Sequence, residues 1–228
     1  MRRRARLAAG LTCLVVAVGG CGAQSKSSQP GNAPTVSLWT SATSADYRQV
    51  NDGARLALAE AGGKAGVFRV NYAARELSDA EPQTTADALA AARLTLQDTQ
   101  SSAMLTGLGD APAKAAITLL NEAGIGTVSL GDATLRTAAC SSRSDFYPNG
   151  RATAVVVNPD AAVPASWAST FRKTYGIAPT VKAFRAYEGA WAILTALAQP
   201  GVATTDSPPR LNRDALATAL VREQRGCA

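Results

Sequence analysis

Four cysteines and no histidine bound the chemistry open to this 228-residue chain. Without histidine the Ser-His-Asp and Cys-His arrangements of nucleophilic catalysis cannot be built. The commonest metal ligand is missing for the same reason. No Gly-x-Ser-x-Gly elbow occurs, and no Gly-x-x-x-x-Gly-Lys phosphate loop. Gly107-Leu108-Gly109 comes close to a dinucleotide motif, but no third glycine falls at the right step and no acidic residue lies about 20 residues on. The expectation is a protein that is not an enzyme and needs neither metal nor cofactor. Hydroxyl, indole and carboxylate side chains remain, and these are the tools of binding.

The cysteines sort by position. Arg2, Arg3, Arg4 and Arg6 form a positive head, and Leu7 to Val18 is almost wholly apolar. That run is too short to span a bilayer, which takes about 20 apolar residues. Val18-Gly19-Gly20-Cys21 closes it with small residues before a cysteine, the layout of a secretory signal peptide. The cysteine at the cleavage point resembles the lipobox of bacterial lipoproteins. The resemblance implies removal of residues 1–20, Cys13 among them. It also implies acylation of Cys21, with chains such as palmitate, and a protein anchored on the extracytoplasmic face of the cell membrane. Residues 21–34, rich in Ser, Gln, Gly and Pro, read as a flexible tether. Of 23 basic residues the signal holds four, leaving 19 against 17 acidic ones. With aromatics at only 5%, neither a charge stripe nor a stacking platform for nucleic acid is present. Cys140 and Cys227 are then an even pair in an oxidising compartment, expected to form a disulfide; the alternative is two separate thiols. In the chain-entropy model so long a loop contributes about 4–5 kcal/mol. With the cysteines so occupied, no thiolate metal site is expected.

The elements that must position any binding residue alternate. Val36 to Trp39 reads as a strand and Thr40 to Ala45 as a polar loop. A helix capped by Asp46 carries Tyr47, Val50, Ala54, Ala57 and Leu58 on one face, and Gly62-Gly63 stops it. Val67 to Tyr72, Ala103 to Thr106 and Thr127 to Leu130 read as further strands. Between them lie an Ala-rich helix after Pro82 and a second helix capped by Asp110 and ended by Gly124. The order implies a doubly wound α/β domain over residues 35–228, a parallel sheet with helices on both faces. Ligands in such sheets sit at the carboxyl ends of the strands. Ala154 to Val157 reads as a fifth strand, followed by three helices.

In order, these pieces resemble the periplasmic-binding-protein family of the branched-chain amino-acid type, the substrate-binding lipoproteins of ABC importers. Val36 to Ser41, then Tyr47 and Asn51-Asp52-Gly53-Ala54, resemble that family's first strand, ligand loop and first helix. Asn121 to Ile125 resembles its joint to the fourth strand. Phe146 to Arg151 resembles the exit from the first lobe, and Phe171 to Tyr175 with Tyr187-Glu188-Gly189-Ala190 the return. Between Arg151 and Ser166 there is no room for a second lobe, since each βαβ unit takes about 30 residues. The implied fold is a type I lobe with its second lobe largely missing. Carried over by position, the ligand residues are Ser41 and Ser44 in the first loop, Gly109 and Asp110 after the third strand, and Ser129, Asp132 and Thr134 after the fourth. Trp39 and Tyr47 would wall the pocket. The implied partners are a small polar solute, such as an amino acid or amide, and an importer permease. The alternative is a one-lobed interaction or sensory lipoprotein that has lost transport binding, in which a homodimer rebuilds the cleft.

Overall fold

The computed structural model describes residues 33–130, 154–156 and 162–223. The signal peptide, nearly all of the tether, the lipidation site Cys21, the pair Cys140 and Cys227, and the site residues Asp132 and Thr134 lie outside these. The described residues belong to one unit, Ala33–Ala228. Its elements are β1 (Thr35–Thr43), α1 (Ser44–Glu60), β2 (Lys64–Ala65), β3 (Phe68–Leu77), α2 (Gln83–Gln97), β4 (Ser101–Thr106), α3 (Asp110–Glu122), β5 (Gly126–Ser129), β6 (Ala154–Val156), α4 (Ala165–Tyr175), α5 (Val181–Leu197) and α6 (Arg213–Glu223).

The sheet order is β2-β3-β1-β4-β5-β6. Every pairing is parallel except that of the two-residue β2 with β3. Side chains alternate along each strand, so β1 divides between two cores. Val36, Leu38 and Ala42 pack with α1, α5 and α6 on one face. Trp39 packs on the other face with α2 and α3, beside Met104, Ala88, Ala92, Ile117 and Leu120. Helices on both faces of a parallel sheet make the doubly wound α/β fold that the sequence order implied.

The closest helix packing is that of α1 on α5. Val50, Gly53, Ala54 and Ala57 recur on the buried face of α1 at steps of three and four, the spacing of one helical stripe. A Cβ at Gly53 would stand 2.0 Å from the Ala183 carbonyl oxygen, so only glycine admits this approach. Leu56 continues the contact into a third cluster with Trp167, Phe171 and Phe184. Trp167 meets Phe184 edge-on at 4.9 Å between ring centroids, one of the arrangements aromatic pairs prefer.

Two expectations change. The polar loop after Trp39 is largely strand, for β1 continues to Thr43. Parallel partners on both sides, β3 out to Leu77 and β4 out to Thr106, satisfy its backbone and so override the weak local pattern of Thr40-Ser41-Ala42-Thr43. The caps also differ. Asp46 and Asp110 lie inside the first turns of α1 and α3, whose N-caps are Thr43 and Gly109.

Candidate functional site

β1 is flanked by β3 and β4, and the chain leaves β1 and β4 toward opposite faces. From β1 it enters α1 on one face, and from β4 it enters α3 on the other. Such a reversal, here at the carboxyl ends of β1 and β4, is where open α/β sheets form a crevice and bind ligands.

Three hydroxyls line up there. Ser41 of β1 is the register partner of Thr106 of β4, which is the register partner of Ser129 of β5. Their side chains therefore leave the same face of the sheet, and all three residues are fully buried. Among the described residues, neither Ser41 Oγ nor Thr106 Oγ1 has a hydrogen-bond partner, and nor does Thr127 Oγ1 one step down the same face. A buried hydroxyl left unpaired costs about 1–3 kcal/mol. Native structures seldom carry that cost without a functional reason or a bound partner.

The N-terminus of α3 opens beside this row. Its N-cap, Gly109, supplies no side-chain hydrogen bond, and a Cβ built there would meet no atom of the described residues within 4 Å. Asp110 is the first residue of the helix. The other helices beginning at this end are served from within the chain. The Ala45 N–H of α1 donates to Asp79 Oδ1 at 3.0 Å. The Thr85 N–H of α2 donates to Glu81 Oε2 at 3.3 Å. The Ala183 N–H of α5 donates to Thr180 Oγ1 at 3.3 Å. Uncapped amides at a helix N-terminus favour anionic or strongly accepting ligand groups.

The remaining sequence-derived candidates have structural partners. Ser44 Oγ donates to the Leu77 carbonyl at 3.1 Å and ties the start of α1 to the end of β3. Tyr47 is half-buried against the α1–α5 core. Asp46 forms an ion pair with Lys182 across α1 and α5. Trp39 Nε1 donates to Asp98 Oδ2 at 2.9 Å, and Asp98 precedes β4, so the indole reaches toward the amino end of the sheet. Burial works to raise the Asp98 carboxyl. Hydrogen bonds from Trp39, Ser37, Gln100 and Ser101 outweigh burial and hold it below the usual range.

Sequence reading missed Thr106 and Thr127; Thr40 and Tyr72, whose hydroxyls lie against each other, are on the opposite face. Burial pushes the Tyr72 phenol well above its ordinary value, so it remains a protonated donor. Thr106 carried a signal: it is the last residue of a strand, two places after Met104 and just before Gly107.

No family model matches the chain, and no curated protein matches it. Among solved structures, it resembles a protein of Rhodospirillum rubrum assigned to a branched-chain amino acid ABC transporter, with a TM-score of 0.56 at 12% identity over 83% of this chain and 89% of that one. A solute-binding protein of an ABC transporter from Rhodopseudomonas palustris HaA2, in complex with p-hydroxybenzoic acid, matches with a TM-score of 0.40 at 16% identity. That match covers 69% of this chain and 43% of the other. The likeness is one of fold. No described helix is long and apolar enough to cross a membrane.

Proposed function

We propose that the chain is a lipid-anchored extracytoplasmic solute-binding protein of an ABC-type importer. It would take a small polar solute, such as an amino acid or amide, at the carboxyl ends of β1, β4 and β5. The observation that carries this reading is the register-matched row Ser41, Thr106 and Ser129 at the point where the sheet reverses its winding. Two of its hydroxyls are buried without partners among the described residues. A solute with acceptor and donor groups would satisfy them, and the open α3 N-terminus would take its most electron-rich oxygen. Gly109, Asp110, Asp132 and Thr134 would contribute from the neighbouring loops. The fold shared with the Rhodospirillum rubrum protein assigned to a branched-chain amino acid ABC transporter supports the class of ligand. The sequence has no histidine to serve as the base and the row itself consists of hydroxyls, which supports binding rather than catalysis.

The test is thermal unfolding of the full chain against amino acids, amides and small carboxylates. A saturable rise of the form RT ln(1 + [L]/Kd) from one compound supports the reading. A flat panel from a folded protein turns to the second reading, a one-lobed interaction or sensory lipoprotein. Sedimentation would then show self-association if two copies rebuild the cleft. Anchoring at Cys21 is checked by metabolic labelling with palmitate, which Cys21→Ser should abolish. The Cys140–Cys227 disulfide is checked by intact mass after alkylation without reductant; label on both cysteines would exclude it.

A further inference from the structure

The amino end of the sheet, opposite the crevice, holds a depression of ≈ 360 Å³. Val36, Phe68 and Leu211 give it an apolar floor, while Gln100, Arg210 and Arg213 stand at its rim; no lining residue is acidic. Nearby carboxylates are engaged elsewhere. Asp206 holds Arg210 at 2.9 Å, Asp98 accepts from Trp39 and from the Gln100 N–H, and Asp214 lines a different depression. Arg213 is half-buried, and its Nη2 donates to the Ser101 carbonyl at 3.3 Å. Among the described residues no carboxylate pairs with it. A cation drawn partly out of water without a counter-charge is unfavourable, and the planar guanidinium is the group best matched to a carboxylate or phosphate. Arg213 is also the first residue of α6, where the helix dipole adds to the attraction for an anion.

We propose that this depression binds a small anionic amphiphile, in which a carboxylate or phosphate lies on Arg213 and a short apolar body covers Val36, Phe68 and Leu211. The site is separate from the crevice and does not depend on solute binding there. Its ligand is either a free metabolite-sized acid or the head region of an anionic lipid.

The test is calorimetric titration of the full chain with hexanoate and hexyl phosphate. Hexanamide and hexylammonium serve as comparators with the wrong charge, and acetate and inorganic phosphate as anions without a body. The expected result is binding of the six-carbon anions at least ten-fold tighter than of any comparator. Arg213→Gln should weaken it ten-fold or more. Gln100→Glu, at an exposed rim position where folding is not at stake, should weaken it too by placing a carboxylate beside the anion. Titration with phosphatidylcholine vesicles containing phosphatidylglycerol separates the two sources. Response to vesicles alone, lost in both variants, assigns the anion to a lipid. Equal affinity for hexanoate and hexanamide, unchanged affinity in Arg213→Gln, or no response to any probe would overturn the proposal.

Discussion

The two ends of the β1–β4 pair treat their hydroxyls in opposite ways. At the amino end Ser101 Oγ donates to the Thr95 carbonyl at 2.6 Å, Ser102 Oγ to the Ser37 carbonyl at 2.9 Å, and the Trp39 indole to Asp98. At the carboxyl end, two residues beyond Trp39 on β1 and four beyond Ser102 on β4, Ser41 Oγ and Thr106 Oγ1 have no partner among the described residues. Burial is complete at both ends for Ser101, Ser102, Ser41 and Thr106, so exposure does not account for the contrast. The amino-end hydroxyls are part of the scaffold and close its irregular start. Among the described residues Ser41 Oγ and Thr106 Oγ1 bond to nothing, which is the condition expected of groups kept for a ligand.

The contrast means something only if both ends stand on one rigid support, and the change with the largest expected effect tests that support. Gly53→Ala forces a Cβ to within 2.0 Å of the Ala183 carbonyl oxygen. Helix α1 must then lift from α5, at a cost of about 3 kcal/mol, the upper part of the range for overpacking. Denaturant unfolding should show the loss, and solute binding should fall with it because α1 begins at the crevice. Unchanged stability would mean that the α1–α5 contact is not the support assumed here.

That glycine shows where sequence reading stops. Asn51-Asp52-Gly53-Ala54 was legible as a helical segment with family character, but its close partner Ala183 lies 130 positions on, and no local pattern announces it. The strands, helices and doubly wound order were legible because period-two and period-3.6 patterns are local. Gly62 and Gly63, with φ of 64° and 66°, stop α1 as the sequence implied. The extension of β1 through Thr40–Thr43 was not legible, since it depends on pairing with β3 and β4. Ser41 was therefore named as a loop residue, whereas it is a strand residue with a fixed direction. Thr106 and Thr127 were missed because a threonine in a strand is ordinary until the register places it beside Ser41 and Ser129.

At the amino end, Asp98→Ala should cost about 2 kcal/mol. It removes the acceptor of the Trp39 indole and of the Gln100 N–H, and groups that bond a charged acceptor carry the larger hydrogen-bond contributions. Asp98→Asn keeps an acceptor for the indole and should cost less. The two also differ in pH dependence. The Asp98 carboxyl lies below its ordinary value of 3.8 in the folded chain. Its stabilisation is thus fully present above that value and is lost as pH falls below it through the folded pKa. In Asp98→Asn this part of the acid limb should vanish from the stability-against-pH curve. An acid limb identical to that of the parent would remove Asp98 from the account of this end.

The smallest expected effect on stability is the sharpest test of the contrast. Ser41→Ala and Thr106→Val each delete a buried hydroxyl without a hydrogen-bond partner among the described residues. Their unliganded stability should be unchanged, or higher by up to about 1 kcal/mol, because an unpaired polar group has been replaced by an apolar one. Ser101→Ala, which removes a satisfied hydroxyl two places before Ala103 on the same β4, should cost about 1 kcal/mol. Melting of the three variants side by side reads the difference. If Ser41→Ala loses as much as Ser101→Ala, the carboxyl-end hydroxyl is a scaffold group like the other, and the crevice loses its claim. If the two diverge, the solute that stabilises the parent should fail to stabilise Ser41→Ala. The energy the fold forgoes at Ser41 and Thr106 would then be recovered only when a ligand supplies the missing bonds.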